Sequence, residues 1–258
     1  MNCRNCLNFN PFAKQFYERK WEKLVDDIDV FFSCIDRIML FHLSGGEPLL
    51  YPFTADLVLY IDKNYGDRID TLRTVTNGTV IPKDEVLEKL SMCRFELTVD
   101  DYREAIPNSA GRFEELLLKL EKYNIRYYIN HVEEWIDLAP DKTDYSKLSE
   151  KAMIEHRDSC SQSWQELRDG KLYSCNYAAY AAVAGIAGEM DVEETFNLRE
   201  FNSDKRRELV EFRLGYTEKG YTNFCRKCRG FTADNNLKVP VAAQVKRNES
   251  LNISNSTF

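Results

Sequence analysis

The sequence has no long apolar run and no block of basic residues, and each absence excludes a class of protein. No stretch among its 258 residues is long and apolar enough to span a bilayer. The amino terminus lacks the basic and then apolar order of a secretory signal. The net charge is −7, and the lysines and arginines are scattered, whereas nucleic acid favours a basic patch. We therefore expect a cytoplasmic protein that binds neither membranes nor nucleic acid.

Histidine is scarce, whereas cysteine is abundant. The three histidines, His42, His131 and His156, do not occur with a serine or cysteine at the spacing of a hydrolytic triad. The eight cysteines are poor candidates for disulfides in a reducing compartment. They are better explained as metal ligands together with a few buried thiols.

Helical and strand patterns alternate through the first half of the chain. This alternation predicts a parallel sheet with helices outside it, which can be an open sheet or a barrel. Active sites in such folds lie at the carboxyl ends of the strands. The predicted helices cover residues 13–34, 53–65, 82–92 and 109–123, and the predicted strands cover residues 37–43, 69–76, 94–99 and 125–132.

Three polar clusters follow these strands: residues 45–47, 76–77 and 98–101. Gly45 and Gly46 let the backbone turn sharply and approach a ligand closely. Glu47 follows them and could be the counter-ion of a small ligand that carries an ammonium group. The alternative is an ordinary tight turn with a solvated glutamate.

The second half of the chain has a different character. Residues 135–149 are polar and look like a linker, and helices are predicted over 177–187 and 204–214. Asp169-Gly170 predicts a hairpin turn that brings Cys160 and Cys175 together. With the pair Cys225-Arg-Lys-Cys228 they form a set of four thiolates, which suits either zinc or an iron–sulfur cluster. The tail from residue 247 is expected to be disordered.

Cys3-Arg4-Asn5-Cys6, followed by His42-Leu-Ser-Gly-Gly-Glu-Pro48, resembles the radical S-adenosylmethionine (radical SAM) family. In that family the first barrel strand leads into Cys-x-x-x-Cys-x-x-Cys, and the second strand ends in Gly-Gly-Glu. The resemblance implies an α/β fold with a partial (β/α)6 TIM-type barrel. The first cysteine of the pattern would fall before Met1, as would the first strand. We therefore expect the chain as printed to load its first cluster poorly, and an added upstream cysteine to restore loading.

Further positions follow from this resemblance. Thr76-Asn77-Gly78 is similar to the family's Thr-Asn-Gly, and residues 97–101 stand where many members carry Ile-Ser-Leu-Asp-Gly, with Asp101 in place of the glycine. The position of Asn5 usually meets adenine through its backbone, and Asn130 could add a polar contact. The implied cofactor-binding residues are Asn5, Ser44, Gly45, Gly46, Glu47, Thr76, Asn77, Thr98, Asp100 and Asn130.

The spacing of the later cysteines resembles the twitch module, a short relative of the SPASM extension, which holds a second 4Fe–4S cluster. We favour that cluster over zinc at this place in the chain. The implied metal ligands are Cys3 and Cys6 for the first cluster and Cys160, Cys175, Cys225 and Cys228 for the second. The implied domains are a barrel over 1–149, a lobe with a hairpin and a helix for the auxiliary cluster over 150–246, and the tail over 247–258.

The resemblance implies a radical SAM oxidoreductase. Such an enzyme cleaves S-adenosylmethionine reductively to a 5′-deoxyadenosyl radical, which abstracts hydrogen from a substrate. The substrate is unknown and could be a peptide or a sugar-related small molecule, and an electron donor such as flavodoxin or ferredoxin is implied. The alternatives are a non-catalytic α/β binding protein stapled by zinc, or a degenerate member that binds S-adenosylmethionine without cleaving it.

Overall fold

The computed structural model describes residues 1–13, 18–187 and 194–245. These residues form two compact units. The first consists mainly of residues 18–133, with Met1 and residues 240–243. The second contains residues 2–13, 134–187, 194–239 and 244–245. The units therefore do not divide at the predicted boundary after residue 149, because the cysteine loop at the amino terminus and residues 134–149 group with the second unit.

The first unit contains a parallel sheet in the order β1-β2-β3-β4. The register pairs Leu43 of β1 with Thr74 of β2, and Thr76 of β2 with Val99 of β3. The carboxyl ends of these strands thus lie side by side. The strands are β1 (Ile38–Leu43), β2 (Ile69–Thr76), β3 (Glu96–Asp101) and β4 (Arg126–His131). All four predicted strands are confirmed, whereas a closed barrel stays a prediction.

Four helices alternate with these strands, as predicted. The first begins at Trp21 and not at residue 13, because Lys20 has an extended backbone. The residue before the predicted start, Phe12, lies in a short 3-10 turn with Pro11. The predicted helical position Phe16 lies outside the described residues. The helices are α1 (Trp21–Cys34), α2 (Thr54–Tyr65), α3 (Asp84–Ser91) and α4 (Ala110–Lys122).

The two faces of the sheet differ in character. Side chains alternate along a strand, and on β2 Leu72, Thr74 and Thr76 are buried. The opposite face carries Arg73, which is ion-paired with the cross-strand neighbour Glu96 at 2.6 Å. The first face packs in the interior, and the second face carries this partly buried ion pair.

The second unit contains two small sheets and three helices. A two-stranded sheet joins β5 (Glu134–Ile136) to β9 (Lys238–Pro240), so the predicted linker contains a strand. A three-stranded sheet contains β6 (Glu166–Arg168), β7 (Lys171–Tyr173) and β8 (Thr195–Asn197). The helices are α5 (Glu150–Asp158), α6 (Asn176–Ala184) and α7 (Arg206–Arg213).

The predicted hairpin turn is confirmed. β6 and β7 are antiparallel, and Asp169 and Gly170 both have positive φ, at 54° and 72°. Two consecutive positive φ values are characteristic of a type I′ turn. The predicted helices over 177–187 and 204–214 correspond to α6 and α7. The predicted disordered tail lies outside the described residues.

An apolar cluster explains why the amino-terminal cysteines group with the second unit. Phe9 is 4% exposed, and its ring lies edge-on to Phe224 with centroids 5.4 Å apart. Ala178 and Ala181 of α6 belong to the same cluster, and their small side chains allow close packing. Burial of an aromatic ring contributes about 1.5–3 kcal/mol. The loop that carries Cys3 and Cys6 is thus anchored beside α6.

None of the described helices combines the length and the apolar composition needed to cross a lipid bilayer.

Candidate functional site

Glu47 links the carboxyl ends of β1 and β2. Its Oε1 accepts hydrogen bonds from the Leu49 amide at 3.1 Å and the Thr76 hydroxyl at 2.8 Å. Its Oε2 accepts the Asn77 amide at 2.9 Å. The predicted residues Glu47, Thr76 and Asn77 therefore meet. Leu49 was missed, because an amide donor two residues later leaves no signal in the sequence.

Burial raises the pKa of the Glu47 carboxyl, and the hydrogen bonds from Asn77, Thr76 and Leu49 offset part of that rise. A carboxylate can accept about four hydrogen bonds, and these groups supply three. Glu47 thus braces the rim and retains capacity for one further donor. Its predicted role as counter-ion to an ammonium group stays a prediction.

Gly45, two residues before Glu47, has open space beside it on this rim. A methyl group built at Gly45 would meet no described atom within 4 Å. Ser44 and Gly46 are exposed. Packing among the described residues does not require glycine at position 45, and the space where a side chain would lie permits the close approach of a ligand.

A second polar group lies at the ends of β3 and β4. The Asp100 carboxylate accepts the Asn130 side-chain amide at 2.7 Å and the Tyr102 hydroxyl at 2.8 Å. Burial raises the pKa of Asp100, and these hydrogen bonds offset part of that rise. Thr98 is on the same face of β3, because side chains two residues apart point to the same side. The predicted residues Thr98, Asp100 and Asn130 therefore share one face of the sheet.

Asp101 points to the opposite face and has different partners. Arg103 donates to both of its oxygens, at 2.9 and 2.8 Å, and His131 Nδ1 lies 3.2 Å from Oδ2. The Arg103 guanidinium also lies 4.4 Å from the Phe113 ring centroid. The hydrogen bonds from Arg103 lower the pKa of Asp101. These contacts indicate a structural role for Asp101.

Four cysteines line one cavity in the second unit. Cys160, Cys175, Cys225 and Cys228 reach it from the end of α5, the start of α6 and a 3-10 turn at Asn223–Lys227. The hairpin brings the first pair together and the Cys-x-x-Cys spacing brings the second. All four predicted ligands thus line one cavity; their role as ligands and the group that they hold stay predictions.

Each of these sulfur atoms has a backbone amide beside it. The Phe231 amide lies 3.3 Å from Cys160 Sγ, and the Gly230 amide lies 3.2 Å from Cys228 Sγ. The Thr222 amide lies 3.4 Å from Cys225 Sγ. Cys175 receives the amides of Tyr177 and Ala178 at the start of α6. Amide donors of this kind stabilise negative sulfur and tune iron–sulfur clusters.

Burial nevertheless favours the protonated form of three of these thiols. It raises the pKa of Cys175 to about 12, and it raises the pKa values of Cys225 and Cys228 as well. A thiol must lose its proton to bind a metal. The metal-free thiols of Cys175, Cys225 and Cys228 are therefore protonated at neutral pH, and metal binding would release their protons.

Cys3 and Cys6 also lie in the second unit, and each thiol has its own hydrogen-bond donors. Gln244 Nε2 donates to Cys3 Sγ at 3.4 Å, and the Asn2 amide donates to Gln244 Oε1 at 2.9 Å. The Cys6 thiol receives backbone amides from residues 8–10. Burial raises the pKa of both thiols. This chain supplies two thiols of the three-cysteine pattern at this site, so the first cluster fits only in part. Asn5 stands between them, and its predicted adenine contact stays a prediction.

Sequence reasoning missed Tyr177. This residue lines the four-cysteine cavity and stacks on Phe231, with ring centroids 5.6 Å apart. Burial raises its pKa, and so do the neighbouring thiols, which include Cys6 and three of the four cavity cysteines. Its place two residues after Cys175 was the only signal in the sequence.

The described residues do not form a site for a single metal ion. No group of three or more His, Cys, Asp or Glu side chains in the described ranges is arranged to hold one. The four thiols nevertheless line one cavity.

Neither the protein-family models nor the curated proteins match this chain. Solved structures do. Native anSMEcpe with bound AdoMet (S-adenosylmethionine) matches with a TM-score of 0.54 and 14% identity, over 90% of this chain and 88% of that chain. The same enzyme with AdoMet and the peptide Kp18Cys gives 0.53 and 15%, over 85% and 78%. A form with a hexahistidine tag and bound AdoMet gives 0.52 and 14%, over 93% and 86%.

The enzyme in these structures is an anaerobic sulfatase-maturating enzyme, which is a radical SAM enzyme. At 14–15% identity the likeness shows the fold alone. This chain therefore has a mixed α/β fold like that of a radical SAM enzyme, with a four-stranded parallel sheet. The expected fold class is confirmed at this level.

Proposed function

We propose that this chain is a radical SAM oxidoreductase with an auxiliary iron–sulfur cluster in its second unit. The clusters and S-adenosylmethionine would supply reductive cleavage of the sulfonium bond and a 5′-deoxyadenosyl radical that abstracts hydrogen from substrate. The protein's own task is then to bind and orient the reactants and to exclude water.

The rim of the first unit is suited to binding S-adenosylmethionine. The amino group of S-adenosylmethionine would lie beside Gly45, where the Glu47 carboxylate can accept one more hydrogen bond. Thr76 and Asn77 fix the Glu47 carboxylate from β2. Thr98 and Asp100 would face the ribose or the substrate, and Asn130 holds Asp100 in place.

The observation that carries the proposal is the cavity lined by Cys160, Cys175, Cys225 and Cys228. Four cysteines are the ligand set of a 4Fe–4S cluster, and soft thiolates suit iron–sulfur chemistry. Each sulfur also has a backbone amide donor, which suits a negatively charged cluster. The zinc staple remains the alternative.

We propose a peptide or a sugar-related small molecule as the substrate. One of the solved neighbours carries a peptide beside AdoMet, which supports the peptide class. An electron donor such as flavodoxin or ferredoxin would reduce the first cluster.

The test is reductive release of 5′-deoxyadenosine from S-adenosylmethionine. It uses two anaerobically reconstituted proteins, the chain as printed and a version with a cysteine four residues before Cys3. We expect dithionite-dependent release from the extended version and less from the printed chain, because only the former supplies three thiolates. Cys6→Ala in the extended version should abolish release. The control Cys93→Ala should not, because the Cys93 thiol donates to the Lys89 carbonyl outside the cysteine sites.

Release from neither protein, despite a full load of iron, would contradict the proposed activity. If S-adenosylmethionine still bound, that result would favour the degenerate family member that does not cleave it.

A further inference from the structure

Arg157 is the one permanently charged side chain among the described residues that line the four-cysteine cavity. The remaining lining is made of the cysteines, apolar and aromatic side chains, His156 and two uncharged polar side chains, Gln162 and Thr222. Charges interact more strongly in such a poorly solvated site than in water. A single arginine there therefore acts on whatever the four thiols hold.

The end of α5 places Arg157 beside the cysteines. Arg157 lies in the last turn of the helix, three residues before Cys160, and its Nη1 is 3.5 Å from the Cys160 carbonyl oxygen. The preceding residue, His156, has its Nε2 2.8 Å from the Cys228 carbonyl oxygen. Two consecutive side chains of α5 thus contact the backbone of the first and the last of the four cysteines.

Arg157 shares the cavity with both cysteine pairs. Cys175 belongs to the first pair and Cys225 to the second, and both line the same cavity as Arg157. The charge of Arg157 therefore faces the whole cysteine set and is not confined to the neighbouring Cys160.

We propose that Arg157 is a positioning residue whose positive charge raises the reduction potential of the group held by Cys160, Cys175, Cys225 and Cys228. This inference rests on the proposed function, in which that group is a 4Fe–4S cluster. Reduction adds one negative charge to a site that already carries four thiolates. A fixed cation at the wall of the cavity stabilises the reduced form more than the oxidised form, because the reduced form is more negative.

The test compares the reduction potential of the auxiliary cluster in Arg157→Gln and Arg157→Lys with that of the wild type. Redox titration, followed by electron paramagnetic resonance, measures the reduced fraction at each applied potential. We expect Arg157→Gln to lower the ratio of reduced to oxidised cluster about tenfold at a fixed potential, which equals a fall of about 59 mV for one electron. Arg157→Lys should stay close to the wild type, because it keeps the charge.

Arg207→Gln is the matched control. It removes the same charge from the same unit, but the Arg207 side chain is 89% exposed on α7, where it pairs with Glu211. We expect its potential to be unchanged. Iron content and circular dichroism, measured on every variant, report loading and folding independently of activity.

Two results would overturn the inference alone: a loaded Arg157→Gln protein with the wild-type potential, or an Arg157→Lys protein whose potential falls as far as that of Arg157→Gln. The second result would assign the effect to the shape of the guanidinium group. If Arg157→Gln does not load, loading restored by Arg157→Lys supports the charge role, and failure of both variants to load overturns it. A folded wild type that holds no iron–sulfur cluster would instead contradict the auxiliary cluster of the proposed function.

Discussion

Replacement of Glu47 by glutamine should weaken the first unit and change its dependence on pH. The Glu47 carboxylate accepts three donors, at 2.8, 2.9 and 3.1 Å. Glutamine can keep its oxygen toward Leu49 and Thr76, but its NH₂ group then faces the Asn77 amide. The variant loses one charge-assisted hydrogen bond and brings two donors together, while it no longer buries a charge. We expect a net loss of about 1–3 kcal/mol in the free energy of unfolding.

The pH dependence has a definite sign. Burial raises the pKa of Glu47 in the folded state, whereas the unfolded carboxyl titrates near pH 4.3. Between these values the folded chain holds a proton that the unfolded chain has released. The Glu47 contribution to stability is therefore fully present below the unfolded pKa, and it is lost as pH rises through the folded pKa. The free energy of unfolding of the wild type should therefore fall relative to that of Glu47→Gln as pH rises through this window.

Urea unfolding, followed by the fluorescence of Trp21, measures this effect. Trp21 packs against Phe53 and Tyr60 in the first unit, and Trp135 and Trp164 are replaced by phenylalanine to remove their signals. Thr76→Val is the matched control, because it removes one hydrogen bond and leaves the carboxyl able to titrate. A difference between wild type and Glu47→Gln that does not vary with pH, or that grows in favour of the wild type as pH rises, would refute the reasoning.

One further substitution in each unit tests a local feature of the structure. Gly230→Ala places a methyl group 3.2 Å from Cys160 Sγ at a φ of 68°, so we expect a loss of about 1–2 kcal/mol and faster loss of metal to a chelator. Gly215→Ala, at a φ of 94° with open space around it, should be strained but retain metal, and equal retention by both variants would contradict the effect on the cavity. Thr74→Val removes the 2.6 Å hydrogen bond from the buried Thr74 hydroxyl to the Leu43 carbonyl. We expect it to lower the free energy of unfolding by about 1–3 kcal/mol in urea, and an unchanged midpoint would show that this bond between β1 and β2 contributes little.

The alternating half of the fold could be predicted because its signals are local. The β2 strand occupies Ile69–Thr76 as predicted, since its apolar residues end at Asn77-Gly78. The turn at Asp169-Gly170 was equally clear, because few residue pairs adopt two positive φ values. Both depend on neighbours in the sequence.

Features that depend on distant packing could not be predicted. The loop of Cys3 and Cys6 joins the second unit because Phe9 packs on Phe224 and Gln244 holds Cys3. No local pattern indicates either contact. The predicted domain boundary differs from the observed units for this reason.

The candidate sites show the same division. The sequence identified Glu47, Thr76 and Asn77 as strand-end residues, but it did not show that one carboxylate binds the other two. Likewise, the spacing of the four cysteines predicted a common site. Arg157 reaches that site from the end of α5, and no sequence motif indicated it.

The content of the four-cysteine cavity tests the central claim most directly. We predict that anaerobically purified protein is brown, absorbs in the violet and carries about four irons at this site. Cys160→Ala and Cys225→Ala should each lose that iron, whereas Cys93→Ala should keep it. A colourless, folded protein that binds one zinc per chain through these cysteines would contradict the account.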